Sequence, residues 1–267
     1  MTLQKSPVTA LTLKWIAIII MAVDHTGVVC YKWLGWSRNY LILRFIGRNA
    51  FPIFALLLIE GFRRTRNRWR YLRNLLMFSV ISEIPFDLAV MGQRPPIEGQ
   101  NIFWTLSLGL LSLMAIEEIR RSRLPFVVKF VCVPISAAAF MILGQCLRVD
   151  YGNWGVLLIV LMYAGEELPF ASTPQNGDAS AISNDARAQF VRNCGAVAGA
   201  VLWMTFYDFS HGWINELYGA FSAVPILLYN GQRGRYRLSK WFFYGFYPAH
   251  LLILYVLRDT LFQWALT

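Results

Sequence analysis

The chain has 267 residues, of which 57% are hydrophobic and only 15% charged, and its mean hydropathy is +0.45. A soluble domain carries about a quarter charged residues, so this composition excludes an ordinary soluble protein and indicates an integral membrane protein. The net charge of +10 does not indicate nucleic-acid binding, because the basic residues cluster in short loops between apolar runs.

The apolar runs predict an all-α polytopic membrane protein with about nine transmembrane helices in a single domain, 1–267. A bilayer crossing needs about twenty mostly apolar residues, and a helix satisfies every backbone polar group within its own segment. The first run contains Asp24 and His25 and has no cleavage site, so we expect a retained helix rather than a signal peptide. The predicted helices are 13–35, 40–61, 71–91, 102–118, 124–146, 154–167, 190–208, 214–230 and 241–262.

The distribution of basic residues predicts a cytoplasmic N-terminus and an external C-terminus. With that orientation most of the 25 Lys and Arg residues fall in the inner segments, as the positive-inside rule requires. The one long loop, about 169–189, is rich in small and polar residues and is predicted to be cytoplasmic and mobile. The four cysteines show no CxxC spacing, and no metal site is predicted.

The first helix carries Lys14, Asp24 and His25. Eleven residues, about three turns, separate Lys14 from His25, so both lie on one helix face about 16 Å apart. A cation at the inner end and an imidazole deeper in the membrane suit a long anionic ligand, and His is suited to proton transfer near neutral pH. The alternative is that Lys14 extends to the lipid headgroups while His25 makes an interhelical hydrogen bond.

The second helix carries Arg44 and Arg48 four residues apart on one face. Pro52 is expected to bend this helix or to release a backbone carbonyl. Two arginines within lipid need anions, and Asp24 is the nearest candidate in the sequence. Charge compensation by Asp24 and a site for a phosphate or a developing oxyanion are both compatible with this pattern.

Further polar groups occur within the third and last helices. Glu83 and Asp87 are four residues apart, and this carboxylate pair could perform acid–base work, bind a cation or neutralise the arginines. Near the end of the chain, Tyr247 and His250 surround a proline, an arrangement in mid-bilayer that favours a functional role. Glu60 ends the second helix at its inner face.

Several dense motifs in the same order resemble the TraX family, which is associated with acetylation of conjugative pilin. The resemblance covers nearly the whole chain. The motifs are LKWIAIIIMAVDHTG at 13–27, RFIGRNAFPIFALLLIEGFRRT at 44–65, YLRNLLMFSVISEIPFDLA at 71–89, DYGNWGVL at 150–157 and FYPAHL at 246–251.

TraX proteins in turn resemble the membrane acyltransferase type 3 family, whose first helix carries a basic residue, ten intervening residues and a histidine. Lys14 and His25 reproduce this spacing, although the family commonly has arginine at the first position. The resemblance implies acetyl-CoA as the donor, His25 as the catalytic residue and Lys14 near the CoA. The arginine-rich segment 63–73, which includes Arg63 and Arg64, is expected to provide further contacts for the CoA phosphates.

The resulting expectation is an acetyltransferase of the bacterial inner membrane, with lipid around it and no metal. Arg44 or Arg48 would stabilise the developing oxyanion, and Asp24 would balance their charge. The family points to the N-terminal amine of a pilin subunit as the acceptor, and the alternative is O-acetylation of a surface glycan or lipid-linked sugar. An ion-coupled transporter or flippase that uses the same buried charges is the alternative of another class.

Overall fold

The computed structural model describes residues 8–31, 37–91, 99–167, 186–212, 214–235 and 240–265. Within these ranges the regular structure is helical apart from two isolated β-bridges, which agrees with the predicted all-α class. The helices are α1 Ala10–Val29, α2 Arg38–Gly47, α3 Ala50–Arg64, α4 Arg68–Phe86 with a π-helical turn Asp87–Met91, α5 Ile102–Arg121, α6 Phe126–Cys146, α7 Gly152–Glu167, α8 Ala186–His211, a 3-10 helix Glu216–Ser222 followed by α9 Ala223–Leu227, and α10 Lys240–Ala265.

Among the described residues, four helical stretches are long and apolar enough to cross a membrane: α1, the combined stretch Arg38–Arg64, α5 and α6. The clearest case is α6, whose apolar side chains are largely exposed, with Phe126 80% and Phe130 71% accessible. An apolar helix with so little protein cover is explained by lipid rather than water around it. These features fit a membrane protein, while the count of nine crossings and the sides of the termini stay predictions.

The second predicted helix, 40–61, is broken in the structure between Gly47 and Ala50. Pro52 is the third residue of α3, where a missing N–H costs nothing, because the first four N–H groups of a helix have no intrahelical partner. The Asn49 side chain donates to the carbonyls of Phe45 and Ile46 at 3.2 and 3.1 Å, which satisfies the end of α2. The bend expected from Pro52 therefore takes the form of a break that places Arg48 between two helices.

The predicted eighth helix, 214–230, is helical over Glu216–Leu227, but it begins as a 3-10 helix and only its last part, α9, is α-helical. The Asp208 carboxylate accepts hydrogen bonds from the N–H groups of Glu216 and Leu217 at 2.8 and 2.9 Å and so begins the 3-10 helix at Glu216. Pro225 lies in the first turn of α9, where its lack of a backbone N–H group leaves no hydrogen bond unmade.

The predicted mobile loop 169–189 lies mostly outside the described residues. Its last residues, however, are helical, because α8 begins at Ala186 rather than at the predicted residue 190.

Helices α7 and α8 contact each other through glycine backbones. A Cβ atom on Gly165 would lie 2.1 Å from the Gly195 carbonyl oxygen, and one on Gly195 would lie 1.9 Å from the Gly165 carbonyl oxygen. A turn further along, a Cβ on Gly199 would lie 2.4 Å from the Leu161 oxygen. Small residues permit such close approach between membrane helices.

We expect Gly195→Ala to destabilise the protein by about 1–3 kcal/mol or more, because the added methyl group must push α7 and α8 apart. Gly245→Ala is the matched control, since a Cβ there meets nothing within 4 Å. The measurement is the free energy of unfolding in mixed detergent micelles titrated with dodecyl sulfate. Equal stability of the two variants would contradict the backbone contact.

Candidate active site

A cavity of about 360 Å³ extends along α1 from Lys14 to Asp24 and His25. Residues of α2, α3, α4, α5 and α10 and of the turn before α7 form the rest of its wall, which is mainly apolar and aromatic with a few polar groups. This combination is typical of small-molecule sites. The lining residues that matter below are Lys14, Asp24, His25, Leu57, Gly61, Asp150, Tyr151 and Tyr247.

His25 forms a hydrogen bond with His250 on α10 while also lining the cavity. Nδ1 of His25 lies 2.6 Å from Nε2 of His250, and Nδ1 of His250 lies 2.8 Å from the Phe246 carbonyl oxygen. The Tyr247 ring meets the His25 ring edge-on at 5.7 Å. The interhelical hydrogen bond that the sequence offered as an alternative is thus present at the same place as the cavity.

Asp24 and Arg44 form the ion pair that the sequence suggested. Nη1 of Arg44 lies 2.7 Å from Oδ1 and 2.6 Å from Oδ2 of Asp24. The carboxylate rests directly on Gly47, where a Cβ atom would lie only 1.9 Å from Oδ1. Gly47 is therefore required for α2 to approach α1 closely enough to form this pair beside His25.

Arg48 has a partner that sequence reasoning missed. Its Nη1 lies 2.9 Å from the buried Glu216 carboxylate and 3.3 Å from the Tyr151 hydroxyl. Glu216 is distant in sequence and lies within the run predicted as the eighth membrane helix, so no local spacing rule links it to Arg48. Glu83 and Asp87, proposed as neutralising groups, are found with neither arginine.

Tyr151 has a backbone φ of +61°, in the left-handed region. This conformation costs an aromatic residue about 1–3 kcal/mol, and such outliers cluster at functional sites. It places the ring at 4.4 Å from that of Phe51, in a stacked arrangement. The preceding residue, Asp150, also lines the cavity, and burial raises the pKa of its carboxyl to about 6 while nearby Arg48 opposes that rise. In the sequence, Asp150 was visible only as the first residue of the DYGNWGVL motif.

The predicted CoA contacts are not all in one place. Lys14 lines the cavity, with Nζ 5.2 Å from the centroid of the Phe243 ring. Arg63 does not line it, and its Nη2 lies 2.6 Å from both Glu166 and Glu167. At 100° per residue, Arg63 points away from the face of α3 that lines the cavity.

Arg64 and Glu60 form an ion pair at 2.6 Å, and the Tyr229 hydroxyl donates to the same Glu60 oxygen at 3.1 Å. This cluster packs the end of α3 against the chain after α9. Neither Arg64 nor Glu60 lines the cavity.

The remaining sequence candidates lie on α4. Glu83 accepts hydrogen bonds from the Trp104 indole at 2.9 Å and from the Asn101 side chain, so it joins α4 to the start of α5. Asp87 begins the π-helical turn, and its Oδ1 is buried without a hydrogen-bond partner among the described residues. Neither carboxylate lines the cavity. No group of His, Cys, Asp and Glu suited to a metal ion occurs among the described residues.

Comparison with known proteins agrees with the motifs. The family model described as TraX protein matches residues 10–258. The chain belongs to the TraX family. This TraX protein is 29% identical over 260 residues to the probable fimbrial assembly protein FimC, serogroup H1, of Dichelobacter nodosus, an alignment that covers 92% of the chain and 94% of the relative. No solved structure matches it. The family is linked to pilus and fimbrial assembly.

Proposed function

We propose that this TraX protein is an acetyltransferase of the bacterial inner membrane that moves an acetyl group from cytoplasmic acetyl-CoA to an acceptor on the outer side. The observation that carries the proposal is the single cavity that joins Lys14 to His25. Its length along α1 is about 16 Å, and its apolar wall suits the slender arm of an acyl-CoA. The relation to the type 3 acyltransferases is part of this proposal.

The hydrogen bonds at the His25 end favour one tautomer. A carbonyl oxygen only accepts, so His250 must carry its proton on Nδ1 to bond Phe246. In neutral His250 the other nitrogen, Nε2, is then an acceptor, and it receives the proton of His25 Nδ1. Nε2 of His25 keeps its lone pair. The pair therefore provides a general base with one defined basic nitrogen.

Nε2 of His25 would remove the proton from the acceptor as its nucleophilic atom bonds to the acetyl carbon. As the carbon–sulfur bond breaks, the imidazolium returns that proton to the departing thiolate. Acetyl-CoA supplies the activated acetyl group as a thioester. Arg44 and Arg48 do not themselves line the cavity, but Arg44 is paired with Asp24, which does. One of the two arginines would stabilise the negative charge on the carbonyl oxygen. A two-step route through acetyl-histidine would use the same nitrogen.

The acceptor we favour is the N-terminal amine of a pilin subunit. Asp150 lines the cavity together with His25, and a carboxylate attracts an ammonium group before its deprotonation. The fimbrial assembly name of the Dichelobacter relative supports a pilus component. O-acetylation of a glycan or lipid-linked sugar would use the same base with a hydroxyl acceptor.

The test is acetyl-CoA binding by purified protein in detergent. We expect Leu57→Trp, which fills the cavity, to weaken binding at least tenfold. Leu252→Trp, at a residue that is 41% exposed and does not line the cavity, is the matched control and should bind as the wild type does. Equal binding by both folded variants would place acetyl-CoA elsewhere and defeat the proposal.

The tautomer argument makes a separate prediction. The chain has three histidines, so ¹⁵N spectra of histidine-labelled protein can resolve each ring. We expect the neutral His25 ring to be protonated on Nδ1 in the wild type and to lose this preference in His250→Leu, with kcat reduced about 10²-fold. His250→Gln, whose amide oxygen can accept the same hydrogen bond, should recover part of the rate. An Nε2-protonated His25 in the wild type would contradict the assignment.

A further inference from the structure

A second cavity, of about 230 Å³, lies where α3, α5 and α7 end and α4 and α8 begin. It shares no lining residue with the cavity that contains His25, and we call it the basic cavity. In the proposed orientation it faces the cytoplasm, and its rim is open, since the Arg121 side chain is 62% exposed. Its charged lining residues are Arg63, Arg68, Arg120, Arg121 and Arg192, with Glu117 and Glu167.

Two carboxylates, Glu167 and Glu117, form ion pairs with most of these arginines. Glu167 lies 2.6 Å from Arg63, 3.4 Å from Arg120 and 3.5 Å from Arg192. Glu117 lies 2.7 Å from Arg121 and 3.8 Å from Arg120. Five guanidinium groups against two carboxylates leave the lining with an excess of positive charge. Glu166 forms an ion pair with Arg63 from outside the lining. With Glu166 included, five arginines still face only three carboxylates.

Hydrogen-bond donors are in excess as well. A guanidinium has five N–H donors, and a carboxylate shared by several arginines cannot accept from all of them. Nε of Arg63 is buried without a hydrogen-bond partner among the described residues. Arg68 makes no ion pair with a described carboxylate, and its guanidinium lies 4.1 Å from the centroid of the Phe62 ring. A planar donor fixed in this way is prepared to receive an oxyanion.

We propose that the basic cavity is a binding site for a phosphate-bearing ligand, distinct from the cavity in which acetyl transfer is proposed. Arginine forks match phosphate oxygens in geometry and charge. The volume equals that of about seven or eight waters at about 30 Å³ each, which accommodates a pyrophosphate-sized group but not a large organic molecule. The phosphate is carried either by a soluble cytoplasmic compound, including the nucleotide end of the acyl donor, or by an anionic lipid headgroup.

The experiment measures binding of radiolabelled inorganic pyrophosphate to purified protein in neutral detergent at low salt. We expect Arg68→Gln/Arg121→Gln to weaken binding at least tenfold. Arg70→Gln/Arg73→Gln is the matched control, because both arginines are exposed on α4 and do not line the basic cavity; it should remain within twofold of the wild type. No binding by the folded wild type, or equal loss in the two double variants, would overturn the proposal.

Two further arms identify the source of the phosphate. If phosphatidylglycerol in a phosphatidylcholine nanodisc displaces pyrophosphate from the wild type, the occupant is a lipid headgroup. If acetyl-CoA displaces it and acetyl-dephospho-CoA displaces it less well, the occupant is the nucleotide end of the donor. Pyrophosphate binding requires no acetyl transfer, so an inactive but pyrophosphate-binding protein would refute the proposed function and leave this site standing.

Discussion

His25→Gln is expected to lower the rate of acetyl transfer by about 10²–10⁴-fold, the contribution of a positioned general base, and to leave acetyl-CoA binding nearly unchanged. Glutamine retains a polar side chain that can still meet His250, so the helix contact is preserved while the basic nitrogen is removed. The measurement is the single-turnover rate of acetyl transfer at saturating acetyl-CoA, beside the dissociation constant for acetyl-CoA.

His211→Gln is the matched control, because this histidine is exposed and does not line the cavity. Its rate should equal that of the wild type. A folded His25→Gln variant with wild-type activity would remove His25 from the mechanism. If the variant fails to fold instead, the hydrogen bond to His250 is the main role of this residue.

Arg48→Met is expected to destabilise the folded protein by about 3–5 kcal/mol, because it leaves the buried Glu216 carboxylate without its cation. The side chain of Glu216 is only 3% exposed, so water cannot replace the lost partner. The free energy of unfolding in mixed micelles measures the effect. Arg48→Lys should cost less, since it retains the charge.

The double variant Arg48→Met/Glu216→Met separates stability from chemistry. Removing both charges often restores or exceeds the original stability, so the double variant should regain most of what the single variant loses. If Arg48 also stabilises the oxyanion, the double variant stays slow although it is stable. A double variant less stable than either single variant would contradict the account of this ion pair.

Hydropathy predicted most helices of this fold to within a few residues, because burial in lipid and helix length both follow from apolar runs. For the run 214–230 it predicted a helix but not the 3-10 form of its first part, since hydropathy does not distinguish the two kinds of helix. There the Asp208 carboxylate caps a 3-10 helix that continues into the short α9. Glu216 pairs with Arg48, before α3, and Tyr229 with Glu60, near the end of α3. The helix between these two pairs is about 18 Å long or less, which is shorter than the bilayer core of about 30 Å.

The site was predictable where one helix carries the geometry. Spacing alone placed Lys14 and His25 on one face, and the structure puts both in one cavity. The partners on other helices were not predictable in the same way. His250 is 225 residues from His25, and only its place after a proline in mid-membrane made it a candidate.

The predicted contact of Arg63 with the CoA phosphates was not predictable from spacing within one helix. A basic segment at the end of a helix suggested phosphate contacts, but spacing rules do not say which carboxylates approach from other helices. Glu166 and Glu167 reach Arg63 from α7, and the helical phase of α3 directs it away from the cavity with Lys14. Arg63 can therefore contact acetyl-CoA only if the nucleotide end of acetyl-CoA binds in the basic cavity, because Arg63 does not line the cavity with His25.

The most direct test of the central claim is the release of free CoA from acetyl-CoA by purified, folded protein in detergent. Chromatography should quantify the CoA, because the four cysteines of the chain would react with a thiol reagent. We predict bound acetyl-CoA and a slow release of CoA that His25→Gln abolishes. If protein shown to be folded does not bind acetyl-CoA and does not release CoA, the acetyltransferase account is contradicted. That result would favour an ion-coupled transporter built from the same buried charges.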